Sequence, residues 1–253
     1  MMLGLGESRA TTGGSMAKPT VLLTAARFGA GYFLDILQSA RPGALVLGEP
    51  FRGTSAGLAA LAEASGRAVP ELQMMDAAAL WALVAEVAAG QAGPCVVQLY
   101  YYHLPMNAPV WAQMAGQGRI VHLVRRNLFE AYLSRELAQQ AGLWRRGSGR
   151  GKPVIRPVTL DQAGARRHVE ARMRDVEWAR ETFGEADFHE VAFEAISRAP
   201  GACAEAIDRV FGTEGQRVPP GLVRPGLPKV KDRSNADLVL NYRDVADLDR
   251  RWF

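Results

Sequence analysis

Cysteine is scarce in this chain: Cys95 and Cys203 are the only two, far apart and in apolar surroundings. That excludes a disulfide framework and a cysteine zinc site, and the pair reads as buried thiols in a reducing compartment. Long apolar runs are missing too. The longest candidate, Ala77 to Ala89, is interrupted by Glu86 and falls short of the about 18 residues a membrane span needs, so it reads as a core helix. Charge of one sign is nearly balanced, with 30 Lys and Arg against 26 Asp and Glu. The resulting +4 suits a phosphate-rich small ligand and is too diffuse for a nucleic-acid interface. His122, His168 and His189 lack metal-ligand spacing, so no metal is expected, and no Gly-x-Ser-x-Gly elbow is present. No Gly-Lys-Ser/Thr closes a glycine loop, which disfavours a magnesium-dependent kinase. Residues 1–18 lack the apolar core of a signal peptide. They read as a disordered leader with Met16 as a candidate start, ahead of a single domain over 19–253 and a cytoplasmic location.

What is present is an alternation of strands and helices. Apolar, β-branched runs at Thr20–Ala25, Ala44–Gly48, Cys95–Tyr101, Arg119–Val124 and Asp187–Phe193 read as strands. Helices are expected near 31–39, in two alanine-rich stretches within 55–89, near 109–115, over 128–141, 160–183 and 195–211, and in a final piece of the tail. The basic, glycine-rich run Gly142–Pro153 reads as a mobile surface loop that could close over a site. This order predicts an α/β protein with a mainly parallel sheet covered by helices on both faces.

Two junctions carry chemistry. The first runs from the opening strand through Arg27-Phe28-Gly29-Ala30-Gly31-Tyr32 into a helix. A helix N-terminus offers free N–H groups and a favourable dipole to an oxyanion, the two glycines permit close backbone approach, and Arg27 adds a forked cation. The second junction ends the fourth strand at Val124 and passes through Arg125, Arg126 and Asn127 into a helix that bears Ser134. Eight residues are close to two helical turns, so Arg126 and Ser134 are expected to converge on one ligand beside the helix start.

At these residues the chain resembles sulfotransferases that use 3′-phosphoadenosine 5′-phosphosulfate (PAPS). Their donor loop follows a strand with Arg or Lys, a small residue, Gly and hydroxyl residues. Arg27 and Gly29 fit that pattern, whereas Phe28, Ala30 and Gly31 stand where hydroxyls are usual. Their 3′-phosphate motif is Arg-Asn/Asp-Pro followed by Ser eight residues after the Arg. Arg126, Asn127 and Ser134 keep that spacing, with Leu128 in place of Pro. Val191-Ala-Phe-Glu194 resembles the family's Tyr-Glu-Asp/Asn segment, and Lys229 to Tyr242 resembles the tail of bacterial carbohydrate and nodulation-type enzymes.

The resemblance spans about Thr20 to Val245. It implies a three-layer, P-loop-like sulfotransferase fold around four or five strands, PAPS as co-substrate, and a carbohydrate or small-metabolite hydroxyl as acceptor. No nucleic-acid or membrane partner is expected, and a homodimer is left open. Arg126 and Ser134 would then hold the 3′-phosphate. Arg27, helped by Lys229 and Lys231, would neutralise the leaving group. Either Glu49 or His103, each following a strand, would accept the hydroxyl proton. Tyr100, Tyr101 and Tyr102 are candidates to line the acceptor side, or simply alternate between core and surface. Gln98 stands where relatives often carry Lys. A second class stays open, a nucleotide- or partner-binding relative without catalysis.

Overall fold

A computed structural model of the chain describes residues 18–142, 155–212 and 233–253. Lys229, Lys231, nearly all of the expected leader and most of the Gly142–Pro153 run lie outside the described residues. Along the chain come β1 (Thr20–Thr24), α1 (Ala30–Ala40), β2 (Leu45–Val46), α2 (Ser55–Ser65), α3 (Val69–Gln73), α4 (Ala77–Ala89) and β3 (Cys95–Tyr100). Then follow α5 (Val110–Gln117), β4 (Arg119–Val124), α6 (Leu128–Gln140), α7 (Gln162–Phe183), β5 (Phe188–Ala192), α8 (Phe193–Ile196), α9 (Pro200–Phe211) and α10 (Asn235–Leu238).

The five strands form one parallel sheet in the order β2-β3-β1-β4-β5. β1 lies at its centre and is buried along its whole length, which explains its unbroken apolar run. Its side chains alternate between faces. Val21 and Leu23 join a core that includes Trp81, Met114, Val176 and Phe183, from α4, α5 and α7. Leu22 points to the other face, against Phe33 and Ile36 of α1 and Cys203 and Ile207 of α9. Helices therefore cover both faces, as expected. A third cluster packs the chain's last segment, Leu238, Val239, Val245 and Leu248, onto Phe129, Leu133 and Leu137 of α6.

The alanine-rich stretch forms three helices where two were expected. Gly66 ends α2 in a left-handed conformation (φ 69°), Pro70 sits in the first turn of α3, and the Asp76 carboxylate caps α4 at the Ala79 N–H, 2.8 Å away. Cys95 and Cys203 are both buried free thiols, and burial raises the first to about 11 and the second to about 12. No helix among the described residues is long and apolar enough to cross a membrane.

The strand order decides where a ligand can sit. The connection after β1 leads to β2 on one side of the sheet, whereas the connection after β4 leads to β5 on the other. β1 and β4 are neighbours, so their outgoing loops part and leave a crevice at the carboxyl ends of these two strands. Both Arg-bearing junctions open onto it.

Candidate active site

The loop from β1 to α1 is tight. Phe28 N–H donates to the Ala25 carbonyl at 3.2 Å, and the Phe28 ring is fully buried, so only its backbone is available to a ligand. Arg27 has φ 70°, the only positive φ of a non-glycine residue among the described residues, and that conformation costs roughly 1–2 kcal/mol. Gly29 follows with φ 98°. A Cβ there would lie 2.2 Å from Cδ2 of Phe193, so glycine is required twice over. No side chain caps α1, which leaves the N–H groups of Ala30, Gly31 and Tyr32 open at its first turn. The Tyr32 hydroxyl donates to the Ile196 carbonyl at 3.4 Å.

Arg27 Nε donates to Ser134 Oγ at 3.0 Å, joining the two junctions directly. This differs from the expected pairing, in which Ser134 works with Arg126. The Arg126 residue is exposed, and no described residue pairs with its guanidinium. Its backbone is fully engaged: the N–H donates to Glu194 Oε2 at 3.1 Å and the carbonyl accepts the Trp252 N–H at 3.0 Å. Asn127 is a helix cap, accepting the Glu130 N–H at 3.0 Å, and it holds the tail by donating to Asp249 Oδ1 at 2.8 Å.

Arg125, to which the sequence reading gave no role, is the second cation of the crevice. Its Nη1 donates to the Arg27 carbonyl at 3.0 Å and its Nη2 to Glu130 Oε2 at 2.8 Å, and its guanidinium lies 5.0 Å from the centre of the Phe193 ring. The only sequence signal was its adjacency to Arg126. Burial first, and then the charge of Arg125, push the Arg27 guanidinium below its ordinary value. Glu130 already pairs with Arg125, which leaves the Arg27 guanidinium, bonded to the neutral Ser134 hydroxyl, to meet an anion.

The two alternative proton acceptors prove to be neighbours. His103 Nε2 lies 3.7 Å from Glu49 Oε2, and Arg52 Nη1 lies 3.6 Å from the same oxygen. The His103 side chain is only 3% exposed. Its Nδ1 accepts the Tyr100 N–H at 3.3 Å, so the neutral ring carries its proton on Nε2, the atom that faces Glu49. Tyr100 pairs in register with Thr24, and this places the His103 turn beside the first loop. The three tyrosines alternate. Tyr102 is exposed, with its ring 5.3 Å from Tyr100 and 5.0 Å from His103, whereas Tyr101 is buried with its hydroxyl 2.6 Å from His122 Nε2. Gln98 is buried within β3. A dip between α1 and α2 at the edge of β2, lined by Gln38, Leu45 and Gln91, lies at the opposite end of the strands. Among the described residues, no three His, Cys, Asp or Glu side chains are grouped to hold a metal ion.

Buried histidines give the domain a defined acid response. Burial, then the Arg52 charge, lowers His103 to about 4, and burial with Arg172 and Arg135 lowers His168 to about 4. Burial also lowers His122, although Glu190 opposes it from 3.3 Å. Each ring is neutral when folded, so the unfolded chain takes up protons first as pH falls through about 6.5. The contribution is complete above that value and is lost on acidification towards 4. For His103 and His168 the loss at pH 5 is about 2 kcal/mol each. Urea unfolding at pH 7.5 and 5.0 should therefore differ by at least about 4 kcal/mol, to which His122 adds, and His168→Phe should remove about 2 kcal/mol of that difference.

No protein-family model matches the chain, and no curated protein matches its sequence. Among solved structures, the sulfotransferase domain of the olefin synthase from Synechococcus PCC 7002 is similar. The two are 14% identical, with 91% of this chain and 85% of that one covered and a TM-score of 0.46. Likeness this distant leaves the chemistry to be read from the residues themselves.

Proposed function

We propose that this chain moves a sulfuryl group from PAPS to a hydroxyl of a carbohydrate or small-metabolite acceptor. The observation that carries the reading is the Arg27–Ser134 hydrogen bond, which joins a strained cationic loop at an uncapped helix start to the helix after β4. A nucleotide bearing phosphate groups at both its 3′ and 5′ ends suits such a crevice. In this reading the 5′-phosphosulfate lies over the open N–H groups of Ala30, Gly31 and Tyr32, with Arg27 beside it. The 3′-phosphate takes the exposed guanidinium of Arg126 and the Ser134 hydroxyl.

Transfer is an in-line displacement. The acceptor oxygen forms a bond to sulfur as the bond from sulfur to the bridging oxygen breaks, and 3′-phosphoadenosine 5′-phosphate departs. Arg27 neutralises the charge growing on that leaving group. Glu49 accepts the hydroxyl proton. His103 is unsuited to that role because Nδ1 is occupied and Nε2 carries a proton. Arg52 Nη1 and His103 Nε2 flank one Glu49 oxygen at 3.6 and 3.7 Å, too far to hydrogen-bond it.

Titration calorimetry with 3′-phosphoadenosine 5′-phosphate tests the donor site. Wild type should bind, and Arg126→Ala should weaken binding by roughly tenfold or more, the scale of a charge-assisted phosphate contact. Absence of binding to wild type would refute the function, and binding indifferent to Arg126→Ala would refute the placement of the 3′-phosphate.

A further inference from the structure

The two candidate phosphate loops meet on one dipeptide. Phe193 opens α8, directly after β5. Its ring fills the space in which a Cβ on Gly29 would sit, lies 5.0 Å from the Arg125 guanidinium and meets Tyr32 edge-on at 6.4 Å. It is thus wedged between the first loop and the cation that grips the Arg27 carbonyl. Glu194, the next residue, turns to the second loop. Its two oxygens accept the N–H groups of Arg126 and Asn127 at 3.1 and 3.0 Å. Adjacent Cα atoms are about 3.8 Å apart, so a dipeptide that touches one loop with each side chain leaves little independent movement between them.

The two helix starts are also unlike. At α6 the Glu194 carboxylate takes the two N–H groups just before the helix, those of Arg126 and Asn127, and the Asn127 side chain caps Glu130 N–H, whereas α1 has no side-chain cap. A phosphate at the second loop therefore relies mainly on the side chains of Arg126 and Ser134. We infer that Phe193 and Glu194 are positioning residues that fix the spacing between the two loops, and so select a nucleotide phosphorylated at both its 3′ and 5′ ends over one phosphorylated at the 5′ end alone. This rests on the nucleotide reading of the crevice given above.

The test uses Glu194→Gln, which keeps the shape but offers one acceptor oxygen where the carboxylate offers two, and Phe193→Leu as an independent variant. Calorimetry should show 3′-phosphoadenosine 5′-phosphate weakened roughly tenfold in each variant, while adenosine 5′-phosphate, which engages the first loop alone, changes less than about threefold in Glu194→Gln. Equal weakening of both nucleotides in Glu194→Gln, or weakening of neither, would overturn the inference. Amide hydrogen exchange on the ligand-free protein supplies a readout that survives failure of the nucleotide reading. Glu194→Gln should speed exchange at Arg126 and Asn127 and also across the chain at residues 27–29. Acceleration confined to residues 126–127 would show that the loops are not coupled through the dipeptide.

Discussion

Arg27→Gly is expected to give a protein that folds as well as wild type and transfers sulfate roughly 10²–10³ times more slowly, the usual cost of losing a group aimed at developing charge. The two effects separate because Arg27 occupies a backbone conformation that favours glycine. With φ at 70°, the arginine bears a penalty of roughly 1–2 kcal/mol that glycine escapes, and the added flexibility of the unfolded chain offsets about 0.5–1 kcal/mol of that gain. The side chain's own contribution to folding is small, since it is partly desolvated, pressed by Arg125 and bonded to one hydroxyl. A strained, partly desolvated cation is retained at a position where a neutral glycine would suit the fold. Thermal unfolding and a transfer assay on the same sample check both halves, and a variant that keeps its rate would remove Arg27 from the mechanism.

Glu49→Gln is expected to lower the transfer rate by roughly 10²–10⁴, the range spanned by general-base catalysis, while leaving affinity for 3′-phosphoadenosine 5′-phosphate unchanged. Glu49 follows β2 at the edge of the sheet, two strands away from β1, so no donor contact is lost. His103→Asn should have a smaller effect on rate, because that ring lies beside the carboxylate at 3.7 Å without hydrogen-bonding it and takes no proton itself. If instead His103→Asn costs more than Glu49→Gln, the proton acceptor has been assigned to the wrong member of the pair.

Much of the scaffold was legible because it is local. β1, β3 and β4 are apolar runs buried on both faces, and the Arg-bearing junctions were visible as strand–turn–helix changes of period. β2 is shorter than its apolar run. It is an edge strand whose pairing thins out to isolated bonds such as Leu47 N–H to Val96 O and Gln98 N–H to Gly48 O. The site was only half legible. Ser134 bonds Arg27 across 107 positions, and Glu194 reaches Arg126 and Asn127 across 68 and 67, so these partners depend on how β1, β4 and β5 stack and not on any nearby pattern. Glu49 and His103 read as rivals in one dimension because their turns leave neighbouring strands, and only the sheet brings them to 3.7 Å. The tyrosine run gave no sign of which ring turns inward until His122 supplied a partner for Tyr101.

The most direct measurement is a crystal structure of the full chain with 3′-phosphoadenosine 5′-phosphate. The expected result has the 5′-phosphate within hydrogen-bond reach of Arg27 and the N–H groups at the start of α1, with the 3′-phosphate on Arg126 and Ser134 and the open side of the 5′-phosphate facing Glu49. A nucleotide bound elsewhere on the sheet, or one whose 5′-phosphate lies away from Arg27, would contradict it.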